Sequence, residues 1–353
     1  MARKLHVPTL AEEVMSRVNA TMKEDVVTMA ADSRFIVRRV PTGILTVDRL
    51  LYGGFARGRH TEIFGDWMVG KSLVLYSTLA RAQQRGEVVA LVDAEGVFNA
   101  RWFRRFGGKP EDLIMAKPKN ANKLGNVLRV MIDKAEFHGV DIIGIDSVAS
   151  LLPREEEEHD LEAGDARVGS LARLMSLLLR QLTMQNGDTV FIWTNQWRDK
   201  ISRIPGLQST PGGRSLGFYA STRLEMAQGE KEMEEVDSVF KGARIKRKRA
   251  VGRWVTCTVR KEKTGARPEV AKSFMLDYDS RMPLVSQELI DLGMEDGIIE
   301  RKGDYYEVSG YQSSVRCHGF KRMRKRIEED DDLRGWLIAC VEEQTAELGG
   351  GSS

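Results

Sequence analysis

The sequence predicts an α/β fold with a mainly parallel central sheet, and two observations carry that prediction. Apolar runs recur between stretches of helical periodicity, and each run is apolar on both faces, as in strands buried within a parallel sheet. The runs are residues 61–64, 88–92, 141–145 and 189–194. The second observation is a glycine-rich loop that joins the first run to a helical stretch, 73–84. Strand, glycine-rich loop and helix in that order indicate a phosphate-binding unit.

The glycine-rich loop is a P-loop pattern. Its glycines let successive backbone N–H groups face an anion, and the following helix adds the positive end of its dipole. Lys71 is placed to reach the β- and γ-phosphates of a nucleotide, and the Ser72 hydroxyl to bind Mg²⁺ directly. The loop residues predicted to bind nucleotide are Gly65, Asp66, Trp67, Met68, Val69, Gly70, Lys71 and Ser72.

Polar residues close three of the predicted strands. Asp93-Ala94-Glu95 follows the second, Asp146-Ser147 the third and Asn195-Gln196 the fourth. Ligands of open α/β sheets lie beyond the carboxyl ends of the strands, so these residues are candidates for a shared site. Asp146 is suited to hold the magnesium shell through water, Glu95 to accept a proton from an attacking water, and Gln196 to sense the γ-phosphate.

Length and composition set outer limits on the fold. The 353 residues suggest one large domain with smaller attachments, and no apolar run is long enough to span a membrane. The formal net charge of +3 is too small to indicate a class of binding partner. Cys257, Cys317 and Cys340 are too far apart for a zinc or redox motif, so we expect reduced thiols. With no apolar export signal behind the basic start, a cytoplasmic protein is expected.

The first forty residues have the pattern of an arm. Thr9 and Glu12 form a capping-box pair, and the apolar residues 10, 14, 18 and 22 recur every four positions behind it. A strand-like run follows at 34–40. The apolar stripe needs a surface to cover it, which is either the chain's own core or a neighbouring subunit.

The rest of the chain changes character twice. Residues 237–276 read as successive strands of an antiparallel extension, with turn signals at 241–242, 251–252 and 264–265. A compact module follows residue 283. The predicted domains are an oligomerisation arm at 1–40, a core at 41–282, a small C-terminal α+β domain at 283–345 and a flexible tail at 346–353.

Several motifs in a fixed order make the chain resemble the bacterial RecA recombinases and the related phage UvsX-type recombinases. Besides the P-loop and the strand ends, they are Pro41-Thr42-Gly43 with Asp48, Pro211-Gly212-Gly213 before Phe218-Tyr219-Ala220, and Lys261-Glu262-Lys263. They span residues 40 to 310, in the order in which the family has them. The resemblance implies a RecA-like P-loop ATPase core with an N-terminal helix-strand arm and a small C-terminal domain.

The resemblance also implies roles at the nucleotide. In the family's pattern Glu95 is the catalytic base, Asp146 the Walker B carboxylate and Gln196 the allosteric sensor of the γ-phosphate. Trp102 stands where the family has a tyrosine that stacks on adenine, a task that an indole also performs. Lys261 and Lys263 match paired lysines that reach the γ-phosphate of the neighbouring subunit, as arginine fingers do in trans.

Two segments resemble the family's DNA-binding loops, 156–169 and 197–217. Basic side chains there are expected to pair with phosphates, Val168 and Ile201 to wedge between bases, and the glycines to bring backbone amides close. The residues predicted to bind DNA are Arg167, Val168, Gly169, Arg173, Arg198, Lys200, Ile201, Arg203, Gly212 and Gly213. The basic clusters 244–249 and 321–326 are equally well explained as solvated faces or as nucleic-acid contacts.

The chain departs from the family's pattern at three places. The first loop is about two residues longer and starts with the acidic run 155–158. Gly217 replaces a basic residue that contacts the neighbour's nucleotide, and the long acidic tail of bacterial RecA is missing. Such divergence is of the kind expected of a phage-borne copy acting in a bacterial cell.

We therefore expect a DNA-dependent ATPase that uses ATP and Mg²⁺ and forms a helical filament on single-stranded DNA. It is expected to pair that strand with homologous double-stranded DNA and to catalyse strand exchange. Two alternatives stay open from the sequence. One is a closed-ring P-loop motor on DNA, and the other is an ATP-gated single-strand-binding paralogue without strand exchange.

Overall fold

The computed structural model describes residues 9–30, 36–118, 120–133, 139–151, 170–199, 208–240 and 243–350. The chain divides into two units, Met1–Arg38 and Arg39–Ser353, and each is described by itself. Most predicted DNA-binding residues of the first loop and the centre of the second lie outside the described residues.

The first unit is built on helix α1, Leu10–Met22. Thr9 caps it, and Thr9 and Glu12 exchange both hydrogen bonds of a capping box, which confirms that part of the sequence prediction. Asn19 then bonds both backbone groups of Val27. The apolar stripe of α1 stays on the surface of this unit, since Leu10 is 81% and Val14 63% exposed.

The second unit opens with alternating strands and helices. In order they are β1 Arg39–Val40, α2 Leu45–Leu50, β2 Phe55–Ala56, β3 His60–Gly65, α3 Lys71–Gln84, β4 Val89–Asp93, α4 Ala100–Arg105, β5 Leu113–Ala116, α5 Ala121–Ile132, β6 Ile142–Asp146, α6 Ser170–Gln185 and β7 Val190–Gln196. Short 3-10 turns lie at Pro110–Asp112 and Val148–Ser150. All four predicted strands are present, as β3, β4, β6 and β7. Of the strand-like run 34–40, only β1 is a strand among the described residues.

The chain continues through a second series of elements. These are β8 Arg198–Asp199, β9 Gln208–Ser209, α7 Arg214–Tyr219, β10 Thr222–Phe240, β11 Ala243–Glu262, β12 Ala271–Asp277, α8 Val285–Glu295, β13 Ile299–Lys302, β14 Tyr305–Val308, β15 Val315–His318, α9 Phe320–Glu329 and α10 Asp331–Leu348. The last helix reaches beyond residue 346, where the flexible tail was predicted to start.

Within the described residues, eight strands form one mixed sheet in the order β12-β11-β10-β3-β7-β6-β4-β5. The six strands from β10 to β5 run parallel, and β11 and β12 add an antiparallel edge. The α/β class with a mainly parallel sheet is therefore confirmed. Apolar clusters lie on both faces. Leu75 and Leu79 of α3 pack on one face, and Leu124 of α5 with Leu179 and Leu182 of α6 pack on the other.

The antiparallel edge corrects one detail of the prediction. Residues 251–252 were expected to form a turn, but they lie inside β11, where Gly252 pairs with Glu232. A side chain at Gly252 would place its Cβ 2.7 Å from the carbonyl oxygen of Leu276 on β12. The glycine therefore permits a close approach of two backbones. Irregularities in the β10–β11 register beside it accommodate the local bend.

The C-terminal module packs three helices, α8 to α10, on the small sheet β13-β14-β15. Its apolar core includes Leu289, Ile327 and Leu337. A buried ion pair joins it to α2, since Arg49 bonds Asp296 with both terminal nitrogens. Among the described helices, none has the length and apolar content that a membrane span requires.

Candidate functional site

The P-loop joins β3 to α3 at the carboxyl edge of the sheet. Gly65 ends β3 at a φ of +150°, and an added Cβ there would lie 2.0 Å from the carbonyl oxygen of Met226. Gly70 caps α3 at a φ of +92°. No other residue type fits Gly65, so the two glycines shape the loop and the backbone N–H groups at the start of α3 face outward from the sheet edge.

Lys71 is the first residue of α3, and its side chain folds over the loop. Its Nζ donates hydrogen bonds to the carbonyl oxygens of Gly65, at 3.1 Å, and Asp66. Burial lowers the pKa of this ammonium, while the charges of Asp146, Glu95 and Asp66 oppose that change. The cation is thus held at the loop mouth by weak carbonyl acceptors, which an anionic ligand would readily replace.

The register of the sheet brings the predicted strand-end residues together. Asp93 pairs with Asp146 across β4 and β6, and Gly65 pairs with Gln196 across β3 and β7. The peptide bond between Asp146 and Ser147 is cis. Because neighbouring strands lie about 4.8 Å apart, these side chains share one short edge above the P-loop.

Asp146 is buried beside the P-loop and only one of its oxygens is used. Its Oδ1 accepts the Thr194 hydroxyl at 2.6 Å, while Oδ2 is buried with no partner among the described protein groups. Burial raises the pKa of this carboxyl, and the Thr194 and Ser72 hydroxyls lower it. A buried carboxylate oxygen without a donor, next to the Ser72 hydroxyl, fits the shell of a magnesium ion.

Glu95 stands opposite Asp146 at the same edge. Its Oε1 accepts hydrogen bonds from the Ser147 hydroxyl at 2.6 Å and from the Gln196 amide at 3.1 Å. The two residues assigned to base and sensor are therefore directly bonded in this structure. A ligand that recruits the Gln196 amide would free one acceptor site on Glu95.

Sequence reasoning assigned no role to two residues that hold this edge in place. Asp93 is buried, and its carboxylate accepts the backbone N–H groups of Gly96, Val97 and Phe98, which fixes the loop carrying Glu95. Thr194 orients Asp146. The spacing of Asp93 and Gly96 is a turn signal that could have identified the first, whereas Thr194 looked like any residue of a buried strand.

Trp102 lies on α4 beside α3. Its indole makes edge contacts with Tyr76 and Phe106, with ring centroids 5.2 and 5.5 Å away, and its Nε1 is buried without a hydrogen-bond partner among the described residues. The side chain is half-buried within this aromatic group, so one part of its surface remains open to a ligand. The adenine contact stays a prediction.

Comparison with known proteins identifies the family. The family described as RecA N-terminal domain matches residues 10–260. The chain is 33% identical over 305 residues to Protein RecA of Chlorobaculum parvum, covering 85% of this chain and 82% of that protein. It is 33% identical over 328 residues to Protein RecA of Nocardia farcinica, covering 91% and 88%. The chain belongs to the RecA family. The resemblance found in the motifs is confirmed.

The paired lysines of the RecA-family motif lie away from the chain's own P-loop. Lys261 on β11 pairs with Arg223, which pairs with Glu62 of β3, three residues before Gly65. That places Lys261 about 10 Å back along the strands and two strands aside. Its Nζ donates to the carbonyl oxygens of Gly217, at 2.6 Å, and Phe218.

The charges around these lysines are crowded. Burial, with the positive charges of Lys263 and Arg223, lowers the pKa of Lys261 to about 8. The Nζ of Lys263 lies 5.6 Å from the centre of the Phe218 ring, which is 70% exposed. A cluster of cations beside an exposed aromatic ring is suited to an anion brought by another molecule.

Of the RecA-like DNA loops, only the borders are described. Arg173 is exposed on α6, and Arg198 is exposed on β8 and bonds the carbonyl oxygen of Ala149 at 3.0 Å. Gly212 and Gly213 have φ values of +85° and +74° and precede α7. Arg167, Val168, Gly169, Lys200, Ile201 and Arg203 lie outside the described residues.

A buried chain of polar groups connects the nucleotide edge to the glycine pair. Asn195, next to Gln196, donates to the carbonyl oxygen of Pro211 at 3.1 Å and to buried Glu62 at 2.9 Å. Glu62 also accepts Arg223 at 2.7 Å. The end of β7 is thereby bonded to Pro211 of the second loop and, through Glu62 of β3, to Arg223 of β10, which pairs with Lys261.

Proposed function

We propose that this chain assembles on single-stranded DNA as a helical filament that hydrolyses ATP and exchanges strands with homologous duplex DNA. The chain is a recombinase of the RecA family and a DNA-dependent ATPase. The observation that supports the filament is the separation of the cationic groups: Lys71 lies at the P-loop, whereas Lys261 lies about 10 Å back along the strands and two strands aside in the same protomer, with Lys263 close to it in sequence. In this proposal two copies complete one site.

The residues at the P-loop edge would hold Mg·ATP. Backbone N–H groups of residues 65–72 and the Lys71 ammonium would bind the phosphates, and Ser72 would ligate Mg²⁺ with Asp146 bonded through water. When bound, Mg²⁺ supplies charge that neutralises the β- and γ-phosphate oxygens. Trp102 would cover the adenine by offset stacking.

Glu95 would accept the proton of the attacking water. Its position beside Asp146 and its bond to Ser147 hold the carboxylate in place for that task. The Gln196 amide, now bonded to Glu95, would move to the γ-phosphate and alter the hydrogen bonds at the end of β7. Because Asn195 bonds Pro211, that change would reach the loop that grips DNA.

The arm would join neighbouring protomers. The stripe of α1 presents Leu10, Val14 and Met22 at 58% exposure or more. Such a stripe on a capped, well-formed helix is suited to a partner's groove. We propose that the arm docks on the adjacent copy, where residues 35–37 would extend that copy's sheet. We place this assembly in the bacterial cytoplasm, where the DNA lies.

DNA would bind inside the filament through the two loops. Arg173 and Arg198 would pair with phosphates of the single strand, as would Arg167, Lys200 and Arg203, and Gly169, Gly212 and Gly213 would bring the backbone close. Val168 and Ile201 would separate stretched bases. The incoming duplex is the second DNA partner.

A joint-molecule assay tests the proposed function. Single-stranded circles and homologous linear duplex are mixed with the chain, ATP and Mg²⁺, and joined products are resolved on a gel. We expect joint molecules that depend on homology, and helical fibres by electron microscopy. Closed rings without joint molecules would contradict the proposal, as would DNA coating without phosphate release above that of Glu95→Gln.

A further inference from the structure

The P-loop carries two large apolar side chains that phosphate binding does not explain. Trp67 is 73% exposed and Met68 is 76% exposed, and they are adjacent. Met68 has a φ of +56°, in the left-handed region that favours glycine. The loop binds phosphate through its backbone, so small polar residues would serve equally well there. A tryptophan and a methionine in water, at a strained backbone position, need a different reason.

The described residues around Trp67 leave most of its side chain exposed. The Gln228 amide donates a hydrogen bond to the backbone carbonyl oxygen of Trp67 at 3.1 Å, so this contact does not involve the indole. That bond holds the loop against strand β10 and leaves the indole exposed to solvent. The two side chains therefore form an apolar patch at the mouth of the nucleotide site, beside Lys71.

The complementary surface lies around the paired lysines. Phe218 is 70% exposed, its backbone carbonyl holds the Lys261 ammonium, and its ring lies under Lys263. If these lysines contact a nucleotide bound at the P-loop of another copy, Phe218 also lies near that P-loop, because it is in contact with both lysines. The exposed apolar side chains of the loop at that site are Trp67 and Met68.

We propose that Trp67 and Met68 are an inter-subunit docking patch that receives the Phe218 and Lys263 surface of a second copy of this chain. The inference rests on the proposed function, because it places the contact at the shared nucleotide site. Aromatic rings and methionine sulfur pack favourably edge to face, and a lysine ammonium binds the face of an indole. The patch thereby ties subunit contact to the loop that holds the phosphates.

The heterologous form of this contact suits a filament. One copy offers the P-loop patch and the other offers Phe218, so each copy keeps its other surface free for a further copy and assembly continues. Two different surfaces on one chain generate rings or helices, depending on the rotation between copies.

The test is disulfide cross-linking between two populations. One population carries Trp67→Cys and the other Phe218→Cys, both with Cys317→Ser and Cys340→Ser; Cys257 is buried and stays. They are mixed with single-stranded DNA and a non-hydrolysable ATP analogue, oxidised mildly and run on a denaturing gel. We expect a dimer band that needs both cysteines, nucleotide and DNA. The matched control replaces Trp67→Cys by Met184→Cys, which is 81% exposed on α6.

A double-mutant cycle supplies the second measurement. Trp67→Ala and Phe218→Ala should each raise the protein concentration needed for half-maximal filament formation by about two- to tenfold, and the double variant by no more than the larger single effect. Filaments that form without the cross-link, or fully additive effects, overturn the contact alone. If the parent variant, which carries only Cys317→Ser and Cys340→Ser, forms no filaments, the proposed function is overturned together with this inference.

Discussion

At the scale of single residues, the site is organised by groups that touch other protein groups before they touch a ligand. Thr194 orients Asp146 with a 2.6 Å hydrogen bond and leaves Oδ2 for water or metal. Asp93 fixes the loop that carries Glu95. Residue type and order predicted that the P-loop and the strand-end residues Glu95 and Asp146 lie at one edge of the sheet, and their roles there stay predictions. The supporting role of Asp93 was open to prediction only as a turn signal, and that of Thr194 was not predictable, because a threonine in a buried strand has many other uses.

Removing the Thr194 hydroxyl should weaken the magnesium site. Thr194→Val keeps the shape of the side chain but frees Asp146, so the Mg²⁺ concentration for half-maximal ATP hydrolysis should rise about tenfold or more. Mg²⁺ titrations of DNA-stimulated phosphate release measure it. The matched control is Thr78→Val, because the buried Thr78 hydroxyl bonds only the Val74 carbonyl oxygen within α3 among the contacts described. Equal Mg²⁺ requirements in the two variants would refute the role of Thr194.

Lys261 predicts how hydrolysis responds to pH. Its pKa is lowered to about 8 by burial and by neighbouring cations, so it loses its proton as the pH rises through about 8. If the charged form serves the neighbour's nucleotide, activity should fall above that pH. Lys261→Arg should move the descending limb to higher pH, since guanidinium stays charged, whereas Lys263→Arg should leave the limb in place. Identical limbs in wild type and Lys261→Arg would exclude this role.

At the scale of elements, the pattern of apolar residues identified the strands that are buried on both faces of the sheet. It did not identify a strand that is partly exposed. The strands β3, β4, β6 and β7 were predicted within about two residues because they are continuously apolar. Strand β5 was missed, since it is four residues long and two of them, Ile114 and Met115, are exposed. The prediction of a turn at 251–252 was wrong. Gly252 lies within a strand, where the lack of a side chain lets the backbone of β12 approach closely, and sequence spacing does not reveal that contact.

That reading of Gly252 has a direct consequence for stability. Gly252→Ala should lower the free energy of unfolding by about 1–3 kcal/mol, because the added Cβ would meet the Leu276 carbonyl oxygen. Urea denaturation measures the change. Gly187→Ala is the control, since no atom lies within 4 Å of a Cβ placed there. If both variants are equally stable, the close approach of β11 and β12 is not as described.

The arm makes a prediction of its own. Val14→Glu puts a charge in the exposed stripe of α1 and should raise the protein concentration needed for filament assembly about tenfold or more, by desolvating a charge in the contact. Light scattering on single-stranded DNA follows assembly. Ala11→Glu introduces the same charge off the stripe, in the first helical turn where an acid is favourable. Equal assembly by both variants would remove the arm from the contact.

At the scale of the whole molecule, the contact between the C-terminal module and the core contains buried carboxyl groups whose pKa values are raised. Glu288 is buried, accepts the Thr46 N–H at 2.9 Å with Oε1, and leaves Oε2 without a partner in the described structure. Burial raises the pKa of Glu288 to about 7 and that of the nearby Asp48 to about 6. The unfolded chain releases these protons first, so folding should lose stability as the pH rises from about 4.5 to about 7.

Glu288→Gln tests that link. Glutamine keeps an oxygen for the Thr46 N–H and never ionises, so the variant should be more stable than wild type at pH 8, by on the order of a few kcal/mol at most, and no more stable at pH 4. Urea denaturation at the two pH values measures the difference. A stability gap independent of pH would show that Glu288 does not titrate across this range.

The central claim is that two copies of the chain complete each nucleotide site, and a mixing experiment tests it most directly. Lys71→Ala lacks the P-loop cation, and the double variant Lys261→Ala/Lys263→Ala lacks the distant pair, so each alone should hydrolyse ATP at least about a thousandfold more slowly with DNA. Mixed in equal amounts, they should form about a quarter of interfaces with both sets intact. DNA-stimulated phosphate release should then recover far above the sum of the two variants, and a rate equal to that sum would contradict the claim.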